Sequence, residues 1–394
     1  MSAYPRIQLK KGKEKSLQRK HPWIFSGAIQ NTPSGLEEGQ VVSVTDSGGN
    51  YLGMGHYQIG SITVRMISFR KEDVTRDFWK AKLTRAIRFR DRLGLISGEQ
   101  TNMCRLVHGE GDGFPGLIID WYAGIAVVQC HSVGFFRIRH EIAELLSEIL
   151  DDRLVSIYDK SEHTIPFKAP VTPEDGLMRG ELTEIVGKEY GHQFRVNVET
   201  GQKTGFFLDQ RENRRLLGEY SKGKNLLNTF SYSGGFSIYG LNEGAELVHS
   251  VDSSQTAIDL ANDNAALNQG EDRHEGITAD VFKFLQEIDD QYDLIVLDPP
   301  AFAKHKKVLD QALRGYRTIN HKAIQRIQPG GILFTFSCSQ VVSVQDFRRT
   351  VFSAAAMAGR DVSIMHQLHQ PPDHPVSIFH PEGEYLKGLV LRVE

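Results

Sequence analysis

Cys338 stands between Ser337 and Ser339, at the end of the apolar run GGILFTF. A thiol where a chain leaves a strand can be reached by substrate and partly ionised by its neighbours, as a covalent nucleophile requires. Cys104 and Cys130 lie within apolar runs and read as small packed hydrophobes. The run LDPPAF places Asp298 just before Pro299, Pro300 and Phe302. Two prolines remove two N–H donors and leave rigid carbonyls pointing out of the chain, and Phe302 adds an aromatic face. This combination suits a nucleobase whose exocyclic amine is held edge-on while its ring stacks. A simple strand stop at a turn is the plainer alternative. In NTFSYSGGFS, which runs from Asn228 to Ser237, Gly234 and Gly235 let the backbone approach a ligand before a helix begins. Asp252 ends the next apolar run, 18 residues beyond Gly234, where a carboxylate can accept from two ribose hydroxyls. Asp280 ends a third, placed for an adenine amino group. Each aspartate taken singly could be no more than a helix N-cap, as Asp280 before VFKFL shows. Three in order behind a glycine turn point to an adenosine-containing cofactor.

The elements that must carry these residues alternate. Strands are expected over 224–230, 246–252, 276–280, 293–298 and 331–336, with helices over 254–268, 281–287, 307–326 and 344–358 between them. Such repeats form a parallel sheet covered on both faces, with its ligand beyond the carboxyl ends of the strands. LKGLVLRV is a last strand with no helix after it. Ahead of this domain, VVSVTD, YLGMGHY and SITVRMI read as strands of a small all-β module. A charged helix over 75–95 follows as a connector. Next come two strand runs in CRLVHGEGDGFPGLIIDWYAGIAVVQC and an amphipathic helix over 136–150. Gly109, Gly111, Gly113 and Gly116 lack the Lys-Ser/Thr of a phosphate loop and read as turns. Cys104 and His108 have no second ligand pair nearby, so no metal is expected.

The 394 residues are long enough for two or three domains, and 40% apolar with 24% charged is the balance of an ordinary globular chain. Three scattered cysteines exclude a disulfide scaffold. No secretory leader or membrane-spanning run is visible, so a cytoplasmic location without membrane association is expected. Charge is uneven: residues 1–90 carry +9 while the whole chain carries −3. Lys10, Lys11, Lys13, Lys15, Arg19 and Lys20 lie beside Trp23 and Phe25. Arg76, Lys80, Lys82, Arg85, Arg88 and Arg90 share a helix whose apolar side is Trp79, Leu83, Ala86 and Ile87. Basic clusters beside aromatics fit nucleic acid, although a solvated charged face is the ordinary reading of either cluster alone.

The run KTGFFLDQR, FSYSGGF, LDPPAF and FSCS, in that order, resembles the bacterial large-subunit ribosomal RNA (cytosine-C5)-methyltransferases that carry an N-terminal PUA domain. KGKEKSLQRKHPWIFSGAI resembles the start of that PUA domain, and EGDGFPGLIID and HPEGEYLKGLVLRV also match, so the likeness spans nearly the whole chain. It implies a PUA-like domain over 1–75, a connector helix with an α+β middle domain over 76–192, and a doubly wound, Rossmann-like class I methyltransferase domain over 193–394. It also implies S-adenosylmethionine, held by Asn228, Ser231, Gly234, Asp252, Asp280 and Asp298 with Phe207 added, and large-subunit rRNA as partner, with a homodimer left open. Cys338 would then add to cytosine C6, and Asp298 would polarise the base near N3 or N4. Many RNA enzymes of this type have a second cysteine just after the strand-four proline, but here Pro300 is followed by Ala301. Lys304, His305 or water is left to take the C5 proton.

Three other readings remain. An Asp-Pro-Pro-aromatic motif also serves methylation of a purine exocyclic nitrogen, which needs no cysteine. A non-catalytic RNA-binding assembly factor would have little use for the glycine turn, the acidic strand ends or Cys338. A nicotinamide oxidoreductase would need the GxGxxG that is missing here.

Overall fold

The structure is a computed structural model and describes residues 4–166, 169–289, 291–303 and 305–394. The chain divides into two units. One comprises Met1–Ile185, Val196–Phe206 and Pro372–Gly383; the other comprises Val186–Arg195, Phe207–Pro371 and Glu384–Glu394.

In the second unit, apolar runs of four to seven residues alternate with amphipathic helices. In chain order these are β1 (Asn225–Thr229), α1 (Gly235–Asn242), β2 (Leu247–Asp252), α2 (Gln255–Leu267), β3 (His274–Thr278), α3 (Val281–Glu287), β4 (Leu294–Leu297), α4 (Leu309–Arg326), β5 (Gly331–Ser337), α5 (Val344–Ala358), β6 (Val362–Leu368) and β7 (Lys387–Val393). Among the described residues the strands form one seven-stranded sheet in the order β3-β2-β1-β4-β5-β7-β6. β1 to β5 pair in parallel, and β7 pairs antiparallel with both β5 and β6. Helices on both faces bury β4 throughout, which is why LIVL is continuously apolar instead of alternating. Leu227, Ile295, Leu297 and Leu333 of the sheet pack with Tyr316, Ile319, Phe347 and Val351 of α4 and α5 in one core. Side-chain oxygens of Ser254, Asp280 and Ser343 cap α2, α3 and α5. Strand order reverses between β1 and β4, and the crevice beyond their carboxyl ends is where such sheets bind ligands.

In the first unit, six short strands form a sheet in the order 23–25, 62–68, 51–57, 41–45, 6–9, 29–31, and a five-stranded sheet follows over residues 103–179. Several expectations need correction. Strands Arg6–Leu9, Trp23–Phe25 and Ile29–Asn31 were not anticipated, because three or four residues are too few to show alternation. The middle glycine-rich segment forms three strands rather than two: Met103–His108, Leu117–Tyr122 and Ile125–Cys130. The helix expected over 136–150 breaks at Ile138 into Val133–Arg137 and Arg139–Leu150. The helix Arg76–Arg92 is no bare connector, since Trp79, Leu83, Ala86 and Ile87 pack in one core with Leu106, Phe114, Phe135 and Leu146. Cys104 and Cys130 belong to that same core.

Candidate functional site

β1 delivers Asn228, which is buried, and its side-chain amide donates to Ser237 Oγ on α1 at 2.9 Å. The chain then turns sharply. Phe230, Tyr232 and Gly234 all lie at positive φ, +54°, +45° and +73°, a conformation that costs non-glycine residues about 1–2 kcal/mol each. Strain of this kind persists only where the surroundings over-determine it, and it collects at ligand clamps. Gly234 meets the need with no Cβ, since an added Cβ would lie 3.1 Å from that of Ala261 on α2. Asp252, at the end of β2, holds the turn from outside by accepting from Tyr232 N and Ser254 N, each at 3.0 Å. Both carboxylate oxygens keep further lone pairs for a ligand. Ser231 is buried, and its hydroxyl oxygen has no hydrogen-bond partner among the described residues. A buried polar atom of that kind calls for a ligand or water. Phe207 leans edge-on against Tyr232, with ring centroids 5.3 Å apart, and accepts from Arg214 Nη1 through its carbonyl at 2.9 Å. Arg214 is fixed in turn by a buried bidentate bridge to Glu189, with contacts of 2.7 to 3.0 Å.

Asp280 is exposed and serves as the N-cap of α3, accepting from Lys283 N at 2.9 Å. It stands at the rim, with its outward oxygen available. Asp298 is half-buried in the turn after β4, where Pro299 is buried and Pro300 exposed. Phe302 does not stand free as a stacking platform. Its ring packs against Tyr316 of α4 at 4.6 Å and Phe282 of α3 at 5.9 Å.

Cys338 is half-buried, unlike the other two cysteines, and its Sγ lies 3.9 Å from the Pro299 carbonyl oxygen. The loops after β4 and β5 therefore meet at the thiol. Beside it, Tyr316 hydroxyl contacts Ser339 Oγ at 3.1 Å, and burial pushes the phenol up against hydrogen bonds that lower it. Beneath it, Lys387 of β7, opposite Ser337 in the sheet, donates from Nζ to the carbonyls of Ser339 at 2.7 Å and Val342 at 2.8 Å. Burial pushes this ammonium down to about 8, while Cys338 and Glu384 pull it back up. The sequence reading missed Lys387, and its one signal is a lysine opening the apolar strand KGLVLRV. Arg214 and Glu189 were missed as well, because arginine and glutamate 25 residues apart carry no local pattern.

The sheet order, the clamp after β1, the acidic residues after the strands and the unsatisfied Ser231 hydroxyl are what a nucleoside cradle on a doubly wound sheet requires. Residues 173–392 match the S-adenosylmethionine-dependent methyltransferase family. The chain belongs to that family. Residues 7–69 match a PUA-like domain. Curated relatives named ribosomal RNA large subunit methyltransferase I are similar over nearly their whole length. The one from Shewanella frigidimarina is 42% identical, covering 98% of this chain and 99% of its own. The one from Alteromonas mediterranea is 40% identical, covering 98% of each. A solved protein from Streptococcus mutans shares the fold over 99% of this chain and 100% of its own, with a TM-score of 0.84 at 22% identity. The structure of SMU.776 complexed with SAH superposes over the same shares of the chains with a TM-score of 0.85, also at 22% identity. This methyltransferase takes S-adenosylmethionine as its cofactor, and its own residues fit that role. The orphan hydroxyl of Ser231 and the open acceptor capacity of Asp252 suit the polar groups of a nucleoside.

Proposed function

We propose that this methyltransferase forms 5-methylcytosine in large-subunit rRNA through a covalent bond from Cys338 to cytosine C6. Asn228, Ser231, Gly234, Asp252, Asp280 and Asp298, with Phe207, would hold the cofactor; Pro299, Pro300 and Phe302 would border the base. Residues 1–75 would contribute RNA binding as a PUA-like domain, 76–192 a middle domain and 193–394 the catalytic domain. The substrate follows from the names of the relatives. The reading rests on one observation: the half-exposed thiol stands at the meeting point of the loops after β4 and β5.

Cytosine C5 is a poor nucleophile. Addition of the Cys338 thiolate to C6 moves the ring electrons onto C5 and makes it enamine-like. Asp298, next to the Pro299 carbonyl, hydrogen-bonds the base near N3 or N4 and stabilises charge that develops there. Bound S-adenosylmethionine supplies an electrophilic methyl group. Loss of the C5 proton to a base then re-forms the C5–C6 double bond as the C6–S bond breaks, returning the electron pair to Cys338. With Ala301 after Pro300 no second thiol assists elimination. His305 is exposed and, like water, is a candidate base, while Lys304 lies outside the described residues.

The test is mass spectrometry of nucleosides from rRNA of a deletion strain, together with RNA carrying 5-fluorocytosine. The C5 fluorine cannot leave as a proton would, so the enzyme should remain covalently bound, and Cys338→Ala should abolish both the adduct and 5-methylcytosine. A Cys338→Ala protein that still transfers methyl groups, with a methylated purine amine as product, replaces this reading with the exocyclic-nitrogen one.

A further inference from the structure

The helix Arg76–Arg92 carries seven basic residues, and the structure divides them into two groups. Four are already engaged. Arg90 is wholly buried and grips Asp112 through two contacts of 2.8 Å. Lys82 donates to the carbonyls of Ile67 and Gly113, and burial pushes its ammonium down to about 8. Arg76 and Lys80 both lie on the Glu148 carboxylate. The remainder, Arg85, Arg88 and Arg92, are exposed, and none pairs with a carboxylate among the described residues. Lys80 lines the same groove as these three, but its ammonium is held by the Glu148 carboxylate.

Arg85, Arg88 and Arg92 follow one another at i, i+3 and i+7, which places them on one face of the helix along about 10 Å of its axis. They line an open groove of about 880 Å³ together with Phe89, which is 40% exposed. A second groove of about 780 Å³ continues past Arg85 to Lys20 and Arg70, both exposed. The acidic residues nearby do not cancel this charge. In the first groove Asp112 is neutralised by Arg90, and Asp77 is the other acidic lining residue, set against Lys80, Arg85, Arg88 and Arg92; the second groove carries Glu72, Asp73 and Asp77 as well. A row of unpaired guanidinium groups with an exposed ring between them has the chemistry of a phosphodiester track. The cations take successive phosphates, and the ring offers a base a surface on which to stack.

We propose that Arg85, Arg88 and Arg92 form a docking track for the RNA backbone, outside the matched PUA-like residues 7–69. The track rests on the reading of RNA as substrate but not on which atom is methylated. It positions substrate without reading its sequence, because phosphate contacts fix register and base contacts specify.

The full-length protein is titrated against a fluorescein-labelled single-stranded RNA, by anisotropy, between 50 and 200 mM salt. Each phosphate contact contributes about −0.7 to the slope of log K against log salt. The triple variant Arg85→Ala/Arg88→Ala/Arg92→Ala should lose about 2 units of slope and bind at least tenfold more weakly at the lowest salt. Arg76→Ala/Lys80→Ala removes as much formal charge per residue from the same helix, but from side chains already held by Glu148, and should leave the slope unchanged. S-adenosylmethionine affinity reports that each variant is folded, and Arg88→Glu alone replaces the triple variant if that one does not fold. An unchanged slope in the arginine variants, or an equal loss in the Arg76/Lys80 pair, overturns the track. Either result leaves the cytosine reading standing, since the fluorocytosine adduct tests that independently.

Discussion

Lys387→Met tests whether the ammonium under the Cys338 loop makes the thiol reactive. Methionine fills nearly the same volume but removes both hydrogen bonds to Ser339 and Val342 and the buried positive charge that interacts with the thiol. An opposite charge close by favours the ionised form of a group by about one to three pKa units. Its loss therefore lowers the thiolate population about 10- to 1,000-fold. The remaining thiolate is more nucleophilic, with a Brønsted coefficient of about 0.4–0.5, which offsets close to half of that effect on a logarithmic scale. Alkylation by iodoacetamide at pH 7 should slow about 4- to 40-fold, read at the Cys338 peptide by mass spectrometry. Cys104 and Cys130 are wholly buried and provide the internal zero. Stability gives an independent reading. The folded ammonium loses its proton near pH 8 and the unfolded one near 10.5, so the unfolded chain holds more protons between those values. Stability from this group therefore rises with pH across that window, by about 3 kcal/mol in total, and the rise is missing in Lys387→Met. A variant that alkylates within twofold of the wild-type rate, with its fold retained, would falsify the idea that Lys387 activates the thiol.

Two further substitutions probe the cofactor cradle. Gly234→Ala forces alanine to φ +73° with its Cβ 3.1 Å from Ala261, and should raise the Kd for S-adenosylmethionine about tenfold by equilibrium dialysis; a Kd within twofold of wild type removes the turn from the pocket. Glu189→Leu leaves the buried Arg214 guanidinium without its partner, and urea unfolding should show a loss of about 3–5 kcal/mol, largely recovered in Glu189→Leu/Arg214→Met. A single-variant loss below about 1 kcal/mol would mean that water or another group already compensates that charge.

The parallel strands were legible because each is short, apolar and closed by a polar residue, as LIVLD and LVHSVD show. β6 was not legible. It is an edge strand whose residues are mostly exposed or half-buried, so VSIMHQL shows neither clean alternation nor a continuous apolar run. Asp280 illustrates the overlap of roles: the N-cap visible in DVFKFL is present, and a ligand contact would have to use its outer oxygen. Phe302 shows the opposite case, a residue picked for an exposed role whose ring α3 and α4 partly cover.

Sequence by itself determined the alternating βα order, the glycine turn, the acidic strand ends and the position of Cys338 in the loop after β5. All of these are local, because helical and strand periods and turn chemistry act over a few residues. Tertiary structure alone decided which charges are spent. Arg90 meets Asp112 across 22 residues, Arg214 meets Glu189 across 25, and Lys387 reaches back 48 to the Ser339 carbonyl. Those pairings form only when separate elements pack, and burial then sets whether a cation stays an internal strut or remains free to meet an anion.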